Sequence, residues 1–407
     1  MSPRRLGLRI LCEDGAPIES ILSFWPNLPL FVRLKGPKSK SLPNNITIAL
    51  RHPDRVCEID LVLPSSLMGP IVEVVQEPFQ ALECIRITVA VENATGPPIV
   101  SREAFLGGSA PLLREIKLDG IAFPFPAIQQ VLLSTNSLVE LHIASIPNDV
   151  LLSPRDLATS LSTLTHLERL TVGFHSAASS RQPPSMIRPP RRTTLPSLTS
   201  LEFCGASEYL EGFVTRLDLP ALCKIKIILF NDILFEIPQL CQFIPRLNAL
   251  RSPTRVIVTH SIDSVSVFFV QEGDRNCLLK TSCRRLDWQL SFVTQISNQL
   301  SPLLSTVQSL SITAGLKWPS EEGDMDSIQW LELFRPFTHL TQVNVSEKQF
   351  VPDVVKALVA EDMAAGVLPE LTSLFLSGYY NFPTVAKTVE QFVATRGLSG
   401  RTIRLIS

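Results

Sequence analysis

A six-residue phrase recurs along this chain: an apolar residue, two variable ones, an apolar residue, one variable residue and a third apolar one. Leu113-Arg114-Glu115-Ile116-Lys117-Leu118 is one copy, and Leu138-Val139-Glu140-Leu141-His142-Ile143 is the next. Segments 167–172, 198–203, 222–227 and 371–376 repeat it. A phrase that returns at a near-fixed period marks a stacked-repeat architecture. Such architectures offer broad binding surfaces rather than deep catalytic clefts.

The middle apolar residues set the period. Ile59, Ile85, Ile116, Leu141, Leu170, Leu201 and Ile225 are separated by 26, 31, 25, 29, 31 and 24 residues. The phrase returns at Leu310, Val343, Leu374 and Ile403, with steps of 33, 31 and 29. These lengths fall in and just above the range of leucine-rich repeats. Within one repeat, the alternation apolar-x-apolar predicts a short strand with one buried face. The twenty-odd remaining residues must carry the chain back to start a parallel strand, and a helix does this in the available length.

Several return segments read as helices. In 126–135, Ile128, Val131 and Leu132 share one helical face. Ser153-Pro154 supplies an N-cap and a proline at the first helical position. Segments 352–359 and 384–393 have the same character. Pro111, Pro196, Pro220 and Pro369 stand just ahead of strand phrases, where proline forces a helix to have ended. The tetrapeptide Leu-Pro-x-Leu occurs at 195–198, 219–222 and 368–371, each time at the same offset from a strand.

The sequence thus predicts an α/β fold: an irregular leucine-rich-repeat-like solenoid with a parallel sheet on the concave face and helices on the convex face. Residues 1–50 are expected to cap one end, with the solenoid over 51–407. Residues 176–195, rich in Ser, Pro and Arg, read as an exposed disordered loop. Residues 254–291 break the rhythm. Segments 254–259, 264–270 and 285–291 read as three closely spaced strands, with a turn over 271–276.

Composition excludes several functions. A net charge of −1, 18% charged residues and a pI near 6.6 give no reason to expect nucleic acid or an anionic membrane as partner. No run of about 18 apolar residues suggests a spanning helix. The segment 1–11 is basic and then apolar, but Arg9 breaks it, which is too short and interrupted for a signal peptide. An intracellular location follows as the expectation. The eight cysteines include no Cys-x-x-Cys pair and no histidine at zinc spacing, so free thiols are expected and no metal or cofactor.

One catalytic candidate stands out by residue type: His260, Ser261 and Asp263, within 259–264. Catalytic triads are recognised by geometry across distant segments, so adjacency favours a turn here. Gly107-Gly108-Ser109-Ala110-Pro111 lacks the last glycine of a nucleophile elbow. The stronger candidates are the strand residues between the buried ones. They are Glu115, Lys117, Glu140, His142, Arg169, Glu202, Lys224 and Lys226, preceded by Glu58, Asp60 and Arg86. Ser309, Ser311, Gln342, Asn344, Ser373 and Phe375 follow. This face reads as mixed in charge in the first half and nearly neutral in the second, with His142 a solvated surface histidine.

Segments 4–11, 21–28, 55–61, 113–118 and 282–291, in this order, span nearly the full chain. On these stretches the chain resembles the F-box-type leucine-rich-repeat proteins abundant in mushroom-forming fungi. The resemblance implies a non-enzymatic substrate receptor of a Skp1–cullin ubiquitin ligase, whose repeats hold a target protein. The F-box that would dock a Skp1-type adaptor is not found in these residues; the resemblance implies that it would lie ahead of segment 4–34. A repeat-only scaffold or inhibitor is the alternative, and a hydrolase built on the His260 region a further one. The chain also departs from ordinary leucine-rich repeats, with Ile121, Ala206 and Tyr379 where Asn or Cys usually bonds the turn.

Overall fold

The structure, a computed structural model, describes residues 10–12, 18–25, 28–35, 44–90, 99–100, 105–122, 125–146, 153–175, 192–230, 237–247, 252–271, 276–315, 327–362 and 368–406. It is a mixed α/β fold whose strands are mostly parallel, with twelve α-helices among the described residues. The chain divides into two compact units, residues 1–205 with 215–221 and residues 206–214 with 222–407.

In the first unit, β1 (Ile10–Cys12), α1 (Ile18–Phe24), β2 (Leu30–Lys35), α2 (Asn44–Leu50), β3 (Val56–Pro64), α3 (Met68–Val74) and β4 (Cys84–Ala90) alternate strictly. They are followed by β5 (Ile99–Val100), β6 (Glu115–Asp119), β7 (Ile121–Ala122), α4 (Phe125–Ser134), β8 (Glu140–Ile146) and α5 (Pro154–Leu161). β9 (Arg169–Phe174), β10 (Thr193–Thr194), β11 (Ser200–Gly205) and β12 (Leu217–Asp218) complete it. The order β1-β2-β3-β4-β6-β8-β9-β11 is parallel throughout. β5 pairs with β7 and β10 with β12 as two small side sheets.

The apolar anchors of the sequence are register partners. Val32, Ile59, Ile85, Ile116, Leu141, Leu170 and Leu201 stand side by side across seven strands, and none is more than 1% exposed. Burying each such side chain contributes roughly 1.5–3 kcal/mol, so the row behaves as a continuous core seam. The helix starts follow local chemistry. Ser153 accepts a hydrogen bond from the Asp156 amide and donates to the Asp156 carboxylate at 2.6 Å, capping α5 behind Pro154. Gly120 turns β6 into β7 at φ +75°, where a Cβ would lie 3.0 Å from Val89.

Within 1–50, the expected capping segment, the described residues form β1, α1, β2 and α2. One expectation changes in this unit. Of the loop expected over 176–195, residues 176–191 lie outside the described residues. Thr193 and Thr194 form β10 and Leu195 is fully buried, so the polar stretch ends earlier than its composition suggested.

The second unit contains α6 (Ser207–Val214), β13 (Lys224–Leu229), α7 (Pro238–Phe243), β14 (Arg255–Ser261), β15 (Ser264–Val270), β16 (Asn276–Ser282) and α8 (Leu286–Gln299). Then come α9 (Ser301–Leu304), β17 (Ser309–Ala314), α10 (Ser327–Phe334), β18 (Gln342–Val345), α11 (Val351–Asp362), β19 (Ser373–Leu376), α12 (Pro383–Leu398) and β20 (Arg404–Ile406). The strand order is β13-β16-β15-β14-β17-β18-β19-β20. β15 alone runs against its neighbours.

That reversed strand, within the stretch 254–291 that breaks the rhythm, is where the fold departs from the parallel sheet expected overall. Ser261 pairs with Ser264, leaving only Ile262 and Asp263 to turn the chain. Two residues suffice for an antiparallel hairpin and are far too few for a parallel crossover. The third strand is β16, and of the strand expected over 285–291, Arg285 caps α8 and residues 286–291 lie in it. Leu286, Leu290, Val293 and Ile296 are buried at helical spacing, and the short alternation of Leu286, Trp288 and Leu290 is embedded in that longer period. At the carboxyl end, Leu405 rather than Ile403 pairs with Leu374, so the last step is 31 residues.

Candidate functional site

Each strand buries one face and leaves the other open, as β13 does with Ile225, Ile227 and Leu229 inside and Lys224 and Lys226 outside. The candidate site is this open face, built from rows of register partners.

On the first unit, one row runs Cys84, Glu115, Glu140, Arg169 and its neighbour runs Arg86, Lys117, His142, Thr171, Glu202. Six of the eight residues singled out from the sequence therefore lie on two adjacent rows. Their charges are largely spent on one another. Arg86 donates through Nε and Nη2 to both oxygens of Glu115 at 2.5 Å, and its Nη1 lies 3.6 Å from Glu58. Arg33 reaches Glu58 at 2.9 Å, and Arg169 reaches Glu140 at 2.6 Å. The result is a diagonal lattice, Arg33–Glu58–Arg86–Glu115, with a second pair beside it.

The lattice sets the protonation states. Burial pushes the Glu115 carboxyl upward, but the bonds from Arg86 outweigh it and hold the group below the usual carboxylate range. The Cys84 thiol, 3.6 Å from Glu115, is pushed up to about 12 by burial and by that carboxylate, so it is a thiol rather than a nucleophilic thiolate. The Arg169 guanidinium is raised by its bond to Glu140.

His142 departs from the solvated histidine expected of it. It is half-buried, and its Nε2 is enclosed without a hydrogen-bond partner among the described residues. Burial, and then Lys117, lower its pKa below 6.5. Alternation correctly put it on the open face, but carried no signal for how far it is buried there.

The second unit's face differs. Its eight strands carry Lys224, Lys226, Arg255, Lys280 and Arg404 and no Asp or Glu. One row runs Lys226, Leu278, Phe268, Ile257, Ser311, Asn344, Phe375. Leu278, Phe268 and Ile257 are half-buried, so three apolar side chains lie next to one another on the open side. The later positions named from the sequence, Ser309 to Phe375, lie on β17, β18 and β19, which carry no charged residue, whereas β13 to β16 ahead of them form a cationic stretch with an apolar centre. Lys280 was not legible because 276–282 does not read as a strand in the sequence, whereas Arg255 lies on β14, within the strand expected over 254–259.

The His260 cluster does not assemble. His260 is fully buried, its ring 5.2 Å from Phe350 and 6.4 Å from Trp330, with Nδ1 3.0 Å from Gln289 Oε1. Ser261 follows it on the same strand and faces the other side. Asp263, in the exposed turn, accepts from Ser264 at 3.0 Å. Burial lowers the His260 pKa to about 4, with Gln289 acting in the other direction. Gln289 also donates to the carbonyls of Ser261 and Cys283, both at 2.7 Å, so this polar set ties α8 to the hairpin.

Two clefts lie at the strand ends. One of about 570 Å³ is lined in the first unit by Arg114, Val139, His166 and Glu168. The other, about 470 Å³, is lined in the second by Asp263, Cys283, Arg285 and Trp288, where the Arg285 guanidinium stacks 4.9 Å over the indole. No group of three or more His, Cys, Asp or Glu among the described residues is placed to hold a metal ion. No helix among them is long and apolar enough to cross a membrane. No protein-family model matches this chain, and no curated protein matches it.

Proposed function

We propose that the chain is an irregular leucine-rich-repeat-like solenoid that binds another protein through the open face of its strands. The observation that carries this reading is the register: within each unit, anchors 25 to 33 residues apart in sequence stand side by side, so the residues between them form long rows on an open face. Rows of this kind suit a polypeptide partner. On the resemblance of its repeats to F-box-type leucine-rich-repeat proteins, the module is the target-recognition part of a Skp1–cullin ubiquitin ligase receptor. Seven of the eight cysteines, Cys57 to Cys283, are free thiols, which supports an intracellular setting.

Photo-crosslinking tests the surface. A benzophenone amino acid at Lys117, Lys226 or Ser311 is expected to capture protein in cells, whereas the same group at Leu133, exposed on α4, is not. Capture from Leu133 alone would sink the reading. The ligase connection is tested separately, by whether Skp1 co-purifies with the product of the complete gene. Crosslinking at the strand face without Skp1 leaves a repeat scaffold.

A further inference from the structure

We propose that the open face of the β14–β15–β16 insertion docks an acidic amphipathic polypeptide segment. Its apolar side chains would lie along Ile257, Phe268 and Leu278, and its carboxylates would meet Lys224, Arg255 and Lys280. The inference rests on the protein-binding reading above and names the chemistry of the partner.

The apolar part follows from register. Ile257 pairs with Phe268 and Phe268 with Leu278, so the three side chains occupy consecutive strands. At about 4.8 Å between strands, the row is about 10 Å long, the width of one helix or of three residues of extended chain. On the first unit the comparable row is Asp60, Arg86, Lys117 and His142, with no two apolar residues adjacent.

The charge follows from what the strands omit. Arg255 lies in the row on one side of the apolar line, opposite Val270 and Ser309, and Lys280 in the row on the other side, opposite Ile228 and Ser266. Lys224 stands two residues from Lys226, which ends the apolar line. Among the described residues Lys224, Arg255 and Lys280 form no ion pair, and no carboxylate shares their strands. The complementary charge has to be brought by the partner. A nucleic acid would bring it too, but Phe268 is the one ring in the apolar line, and Ile257 and Leu278 on either side of it give successive bases no flat surface to stack on, which favours a polypeptide.

The test uses the full chain and labelled probes read by fluorescence anisotropy. One is a peptide of roughly 15 residues, about four helical turns, with Leu and Phe on one face and Glu on the other. Its partners in the assay are the same peptide with Gln for every Glu, an oligothymidylate of equal charge, and phosphatidylserine-containing vesicles. The acidic peptide is expected to bind at least about tenfold tighter than the Gln peptide, more weakly as salt rises. Lys280→Glu and Arg255→Glu are each expected to weaken it about tenfold, with an unchanged melting curve. Phe268→Ser is expected to weaken both peptides. Equal binding of the two peptides, tighter binding of the oligonucleotide or vesicles, or indifference to the charge reversals would overturn the inference. If the crosslinking experiment captures protein at Ser311 while every probe here fails, the protein-binding reading stands and only the acidic partner is wrong.

Discussion

On the open face of the first unit, Arg33, Arg86 and Arg169 each hold a glutamate on a neighbouring strand. On the second unit's face, Lys224, Arg255 and Lys280 have no such partner among the described residues, and an apolar row runs between them. Yet each face stands on an interior of the same kind. Both units bury a row of register-paired apolar residues on the covered side, through Leu201 in one and Phe269 in the other. The difference is therefore not demanded by folding. It also ranks the candidate residues. A charged partner approaching Glu115 would have to displace Arg86, losing a bidentate pair, whereas a carboxylate approaching Lys280 displaces only water.

If the two interiors are built alike, a loss in either should cost its own unit a similar amount, and this is the largest effect expected. Phe269→Ala, within the reversed strand, should destabilise by about 3–5 kcal/mol and Leu201→Ala by roughly 2–5 kcal/mol, through the cavity each leaves. Urea unfolding followed by circular dichroism measures both. A cost under about 1 kcal/mol for Phe269→Ala would make the insertion an appendage rather than part of the core, and the comparison of faces would lose its basis.

The regular parts of this fold were legible because burial writes itself into spacing. Ile59, Ile85, Ile116, Leu141, Leu170 and Leu201 were placed in line by period alone, and they pair in that order. The cap at Ser153 and Pro154 was equally plain. Strand direction was not, because alternation is the same for parallel and antiparallel strands, and only the two-residue turn at Ile262 and Asp263 distinguishes them. The open face was half legible. Alternation tells which residues point outward, but the Arg86–Glu115 pair depends on which strand lies next door and in what register. The net charge of −1 concealed the rest, since it averages an acid-free set of strands with acidic residues elsewhere.

The polar tie beneath the insertion offers the next test. Gln289→Leu removes the donor to the carbonyls of Ser261 and Cys283 and the partner of His260 Nδ1, leaving buried polar atoms unsatisfied. A loss of roughly 1–3 kcal/mol is expected. Hydrogen exchange should locate it in β14, β15 and the start of α8. Protection lost evenly over the whole chain would mean that the insertion has no separate anchor.

A pH effect should follow from the two histidines, one in each unit. Both His142 and His260 have folded-state pKa values below the ordinary 6.5, His260 near 4. As pH falls below 6.5 the unfolded imidazoles take up protons and the folded ones do not, so stability drops. For His260 the loss levels off once pH passes about 4. Proton NMR titration should show the His260 ring still neutral at about pH 5, where an ordinary histidine is charged. A midpoint near 6.5 would mean that the ring is solvated, and the packing against Phe350 would be wrong.

The smallest effect separates the two faces most directly. Glu115→Gln breaks a bidentate but partly exposed pair, and about 0.5–1 kcal/mol is expected. The carboxylate's depressed pKa gives this contribution a pH signature: present above the ordinary value of 4.5, and lost as pH falls below it. Lys224→Glu combined with Arg255→Glu has no pair to break and should leave the melting temperature nearly unmoved. Thermal melts at neutral pH and about pH 3 compare the variants with the parent. Glu115→Gln should melt lower at neutral pH and converge with the parent in acid. If instead the double charge reversal costs as much as Glu115→Gln, the second unit's cations serve its own fold, and they are no freer to meet a partner than the lattice on the first.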